Sequence, residues 1–135
     1  MKTIFKQALL LLLLALLPAL CAAVFHPLRP GWKSGEVTLW TARAWVPNVL
    51  WIDARPAMEY RLAHIEGAVL LNEDGWDELL PAVLEKWSPE QKVVVYCSSQ
   101  SCAASHEVAR RLREEAGLPE VFVMEGGWEA WEAAE

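Results

Sequence analysis

Four short runs of consecutive apolar residues punctuate this chain. They are Val49-Leu50-Trp51-Ile52, Val69-Leu70-Leu71, Val93-Val94-Val95-Tyr96 and Val121-Phe122-Val123-Met124. Runs that do not alternate with polar residues suit strands buried on both faces of a parallel sheet. The third is the most β-branched, which predicts the central strand. Glu36 to Leu39 is a shorter strand candidate, and Thr41 to Trp45 a helical turn or two ended before Pro47. Between the runs the spacing becomes helical. Pro56 suits the first turn of a helix carrying Met58, Glu59, Tyr60 and Leu62. Trp76, Leu79, Leu80, Val83 and Leu84 share one face of a helical pattern over Glu73 to Trp87, which Pro81 is expected to break into two short helices. Val108, Ala109, Leu112 and Ala116 define an amphipathic helix ending at Gly117. After a Gly126-Gly127 turn, Trp128 to Ala134 reads as a last helix with Trp131 inward. Strands alternating with helices predict an α/β fold, a five-stranded mostly parallel sheet with helices on both faces.

A different pattern precedes this. Ala8 to Phe25 is an uncharged, Leu-rich stretch behind Lys2 and Lys6, and fits a signal-anchor helix or a signal peptide. The expected organisation is therefore residues 1–25 as the targeting segment, 26–35 as a Pro- and Gly-containing linker, and 36–135 as one domain. A retained segment makes the protein membrane-anchored, with Trp32 at the lipid interface and the domain extracytoplasmic, periplasmic in a bacterium. Cleavage after Ala23 would instead release a secreted domain.

From His26 onward 10 basic residues face 18 acidic ones. This balance argues against a nucleic-acid partner and gives no general attraction for anions, so an anion must be captured locally. Three cysteines, one inside the apolar stretch, make no disulfide framework. The spacing of Cys97 and Cys102 matches no zinc pattern, and neither a metal nor a cofactor is expected.

The chemistry is expected in Tyr96 to Ser105, where Cys97 follows the central strand and small polar residues lead into a helix. Ligands of such sheets bind at the carboxyl ends of the strands. Loop N–H groups and the positive end of the helix dipole favour a thiolate there, which is a nucleophile; the alternative is that Cys97 is a small buried hydrophobe. Arg55 and Glu59, four apart, read as a pair fixing a strand-to-helix corner, and His64 as a hydrogen-bonded structural histidine rather than a general base. Gly67 is expected to supply a positive φ or a close approach.

Taken together, Asp53-Ala54-Arg55, Glu59-Tyr60, His64-Ile65-Glu66-Gly67-Ala68, Val94-Val95-Tyr96-Cys97 and Gly126-Gly127-Trp128 with Trp131 resemble a single-domain rhodanese in order and spacing. The resemblance implies that Cys97 takes sulfane sulfur as a persulfide and passes it to a thiol or cyanide. It also implies that backbone N–H groups of Ser98, Ser99, Gln100, Ser101 and Cys102 cradle it, and that Asp53, Arg55 and Glu59 give structural support, as His64 and Gly67 are expected to do on their own reading. The loop departs from the family's usual one: aligned through the following helix, it is two residues longer and lacks the family's glycine and arginine. Thiosulfate thereby loses the partner for its charged end, and with Ala103 where related phosphatases need arginine, a phosphatase reading falls away. Cys102 resembles the second cysteine of a subset of such domains and is a candidate resolving thiol. The expected function is sulfurtransfer from a donor to a thiol acceptor. The alternatives are a thiol–disulfide protein cycling Cys97 with Cys102, and a non-catalytic module binding through its Trp-rich surface.

Overall fold

The computed structural model describes residues 35–98 and 102–135, Cys102 by its backbone alone. The apolar N-terminal segment and all of the linker but Gly35 lie outside the described residues, as do Ser99, Gln100 and Ser101. Among the described residues no helix is long and apolar enough to cross a membrane.

The apolar runs become strands β1 (Glu36–Val37), β2 (Val49–Asp53), β3 (Val69–Leu70), β4 (Lys92–Tyr96) and β5 (Val121–Met124). All pair in parallel, in the order β1-β5-β4-β2-β3, so β4 is central as expected. Every residue of β2 is buried, and Val93, Val94 and Val95 of β4 are fully so, which accounts for runs that do not alternate.

Five helices cover the sheet: α1 (Leu39–Arg43), α2 (Ala57–Leu62), α3 (Trp76–Lys86), α4 (Cys102–Glu114) and α5 (Gly127–Glu132). One face, carrying Leu50, Ile52, Val93, Val95 and Cys97, packs against Trp76 and Val83 of α3 and Val108, Ala109 and Leu112 of α4. The opposite face, carrying Val49, Trp51, Val94 and Tyr96, packs against Leu39 and Ala42 of α1 and Trp128 and Trp131 of α5. Since side chains alternate across a strand, Tyr96 and Cys97 face opposite layers. The chain leaves β2 towards β3 on one side and leaves β4 towards β5 on the other. The crevice between the carboxyl ends of β2 and β4 is thus the topological switch point, where ligands of such sheets sit.

Three expectations are corrected. Leu39 belongs to α1 rather than to β1, because the Thr38 hydroxyl accepts from the Thr41 N–H at 3.3 Å and starts the helix. Pro81 does not divide α3, which runs unbroken from Trp76 to Lys86. Proline denies Asp77 one hydrogen bond, but both residues are exposed, so that carbonyl can be hydrated. Leu84 also lies outside the packed face, at 43% exposure. Of the tryptophans described, Trp51 and Trp76 are buried, and Trp40 is 68% exposed.

Candidate active site

Cys97 follows β4 directly and is 2% exposed. Its backbone is fixed by α5: the Trp128 N–H donates to the Cys97 carbonyl at 2.7 Å. That approach depends on Gly127, where a Cβ would overlap the Cys97 carbonyl, and on positive φ at Gly126 (74°) and Gly127 (56°). Gly126-Gly127 is therefore more than a turn, since it lets α5 close on the cysteine.

The Cys97 thiol donates to the Ser98 carbonyl at 3.0 Å, and its Sγ lies 3.1 Å from the hydroxyl of Ser105, a 1% exposed residue of the first turn of α4. These contacts favour opposite charge states. A carbonyl accepts from a thiol but repels a thiolate, whereas the serine hydroxyl can turn its proton towards a thiolate. The N-terminal end of the 13-residue α4 adds a positive dipole end on the same side. The expected cradle of N–H groups falls mostly on residues outside the description, and Cys102 is placed as the first residue of α4.

On the other face of the strand end lies a buried polar network. Register sets Asp53 of β2 beside Tyr96 of β4. Asp53, fully buried, accepts from Arg55 N at 2.9 Å, from Nε at 3.0 Å, from Nη2 at 2.7 Å and from the Tyr96 hydroxyl at 2.8 Å. Arg55, 4% exposed, also donates from Nη2 to the Ala63 carbonyl at 2.7 Å, and lies 4.4 Å from the Trp128 ring centroid. Tyr96 accepts from the Ile65 N–H at 3.2 Å. Burial first, and then the Asp53 carboxylate, push the Tyr96 phenol well above its ordinary range, so it remains a neutral donor.

Glu59 approaches Arg55 only to 3.8 Å and is half exposed, so the arginine's main partner is Asp53 rather than the i+4 carboxylate. His64 leaves α2 exposed, its Nδ1 2.7 Å from the Tyr60 carbonyl and its ring stacked on Tyr60 at 3.9 Å. Gly67 has φ 79° in the turn closed by the Ala68 N–H on the Ile65 carbonyl.

A cleft of about 270 Å³ opens beside the Cys97 loop, lined by Ser98 and Ala104 on that side and by Arg55, Asn72, Glu73 and Asp74 on the other. Asn72 holds its wall, donating to the Arg55 carbonyl at 3.2 Å and accepting from the Gly75 N–H at 2.9 Å. Tyr96 and Ser105 bounded the expected reactive stretch and Trp128 stood in a family-like motif, but neither they nor Asn72 were assigned a role in the site from the sequence. Asn72, three before the Gly75 whose N–H it caps, carried a local signal for its turn. The motifs that hold Tyr96 and Trp128 did not reveal their contacts, since their partners are distant in the chain. Among the described residues no group of three or more Cys, His, Asp or Glu could hold a metal ion.

Comparison with known proteins agrees with this arrangement. A family model described as the rhodanese-like domain matches residues 39–134. The tRNA uridine(34) hydroxylase of Sodalis glossinidius is 31% identical over 107 residues, which cover 76% of this chain but 29% of that protein. Among solved structures, a Bacillus halodurans protein is similar with a TM-score of 0.62 at 21% identity, covering 75% of this chain and 73% of the other. A rhodanese-like domain protein of Staphylococcus aureus gives 0.54 at 22% identity, covering 72% and 90%. With a matched segment that runs from α1 to just past α5, takes in both Cys97 and the Asp53–Arg55–Tyr96 network and, of the described elements, leaves out β1 at the sheet's edge, the chain belongs to the rhodanese-like domain family.

Proposed function

We propose that this protein is a sulfurtransferase that carries sulfane sulfur as a persulfide on Cys97. The observation that carries the reading is the Sγ held beside the Ser105 hydroxyl at the carboxyl end of the central strand, where the next residue, Ser98, lines a cleft. In loading, the Cys97 thiolate attacks the outer sulfur of a donor R–S–S⁻, the donor's S–S bond breaks, and R–S⁻ leaves. In unloading, an acceptor thiolate attacks the outer sulfur of the Cys97 persulfide; a new S–S bond forms on the acceptor and Cys97 departs as thiolate. No external oxidant or reductant enters either step. Ser105 favours Cys97 as nucleophile in the first step and as leaving group in the second.

The Asp53–Arg55–Tyr96 network holds the strand end but does not supply a free cation: Arg55 faces Asp53. Together with an arginine-free loop, this disfavours thiosulfate as donor. The tRNA substrate in the relative's name is not carried over either, because this domain is acidic and the chain spans less than a third of that protein. Cys102, opening α4 on the far side of the loop, supports a second reading in which it resolves Cys97 into a disulfide. The apolar N-terminal stretch supports anchoring at a membrane with the domain extracytoplasmic.

Intact mass after exposure to inorganic polysulfide tests both. Gain of one sulfur that Cys97→Ser abolishes supports sulfurtransfer; loss of two hydrogens on mild oxidation, requiring both cysteines, supports the redox reading. Sulfur transfer by Cys97→Ser at the parent rate would refute Cys97 as carrier.

A further inference from the structure

The cleft beside Cys97 has a charge that the sulfurtransfer reading does not itself require. Its outer wall carries Glu73 and Asp74, both exposed, on the segment between β3 and α3. Its cation, Arg55, is 4% exposed and turned into Asp53 and the Ala63 carbonyl. Across the cleft its lining residues Ser98 and Ala104 are uncharged and offset neither carboxylate. An adjoining depression shares Pro56, Asn72 and Asp74 with the cleft and adds Glu78, again without a cation. The arginines of α4 give no relief, since Arg110 is paired with Glu107 and Glu114, Arg111 with Glu115, and Arg113 donates to the Val121 carbonyl of β5.

We infer that Glu73 and Asp74 are specificity-determining residues, and that the acceptor is a thiol carried next to a positive charge. This rests on the sulfurtransferase reading and names its substrate class. An acceptor thiolate must approach the outer sulfur of the Cys97 persulfide as an anion. A neighbouring ammonium or guanidinium facing the Glu73–Asp74 wall offsets that approach, whereas a carboxylate on the acceptor adds a second repulsion. The transfer itself is unchanged: the acceptor sulfur gains the S–S bond that Cys97 loses, and Cys97 leaves as thiolate. Both a small aminothiol and a protein cysteine flanked by Lys or Arg have this chemistry.

The test separates loading from selection. Cys97 is first charged with inorganic polysulfide and the added sulfur confirmed by mass. Its loss is then timed with cysteamine, 2-mercaptoethanol and 3-mercaptopropionate, each rate expressed per thiolate present. At low salt the expected order is cationic, neutral, anionic, with about tenfold or more between the extremes. The spread should shrink towards unity in Glu73→Gln/Asp74→Asn, both exposed positions, and in 1 M salt. Cysteine peptides flanked by Lys or by Glu make the second arm. Lys-flanked peptide outrunning cysteamine identifies a protein acceptor, and the reverse a small aminothiol. Equal rates in the parent, or an order that the double variant leaves intact, overturns the inference while leaving sulfurtransfer standing. Failure to load sulfur at all refutes the sulfurtransferase reading instead. In that case exchange with cystamine against dithiodiglycolate still reads the charge of the cleft, and equal rates there overturn the assignment of Glu73 and Asp74.

Discussion

Tyr96 and Cys97 are neighbours at one strand end, yet they face opposite layers of the molecule and differ in nearly every physical respect. The Tyr96 side is a closed polar core, with a carboxylate, a guanidinium and a phenol meeting each other's hydrogen-bonding needs away from water. The Cys97 side holds a sulfur next to the Ser98 carbonyl and the Ser105 hydroxyl, and its neighbour Ser98 lines a cleft with an acidic wall. A buried ion pair seldom adds net stability over apolar packing, but removing one partner is costly, so such a network fixes geometry more than it strengthens the fold. The contrast fits a division of labour in which one face immobilises the strand end so that the other can present the proposed sulfur carrier.

The comparison breaks most visibly if the closed side is opened. Asp53→Ala leaves the Arg55 guanidinium and Tyr96 hydroxyl buried without their acceptor, and should cost about 3–5 kcal/mol in urea unfolding. Gly127→Ala acts on the hinge between the sides, driving a methyl into the Cys97 carbonyl at a positive φ. A loss of about 2–4 kcal/mol is expected, accompanied by loss of sulfur loading in the fraction that still folds. Tyr96→Phe removes one hydrogen bond and should cost about 1–2 kcal/mol at neutral pH. It also carries a pH signature. Because the folded-state phenol titrates above its unfolded value of 10.0, the unfolded chain releases its proton first, and stability falls as pH rises past that value. Tyr96→Phe should remove that part of the alkaline decline. On the open side, Ser105→Ala should scarcely change stability, yet should slow alkylation of Cys97 at neutral pH about three- to tenfold by withdrawing the donor to the thiolate. An unchanged alkylation rate would remove Ser105 from the chemistry.

The two sides were also unequally legible in the sequence. Continuous apolar runs specify double burial, so β2, β4 and β5 could be read directly, and with them the placement of Cys97 at a strand end. Pro81 misled because periodicity says where a helix faces only on average; whether a lost hydrogen bond matters depends on solvent reaching Asp77. Arg55 was read with Glu59 because i,i+4 pairing is a local rule, whereas its close partner Asp53 is set by the turn at the end of β2 and by Tyr96 across the sheet. Glu73 and Asp74 looked like the opening of a helix. Only the crossover from β3 to β4 brings them beside the loop that follows β4.

The hydrogen bond from Trp128 to the Cys97 carbonyl has a temporal side. A chain synthesised or translocated from its N-terminus presents β4, the cysteine and α4 well before Gly126 and Gly127 emerge. Until they do, Cys97 exists without the contact that fixes its backbone, so the order of synthesis is also the order in which the proposed sulfur carrier is set in place. A chain halted short of α5 would carry the cysteine but not the set geometry.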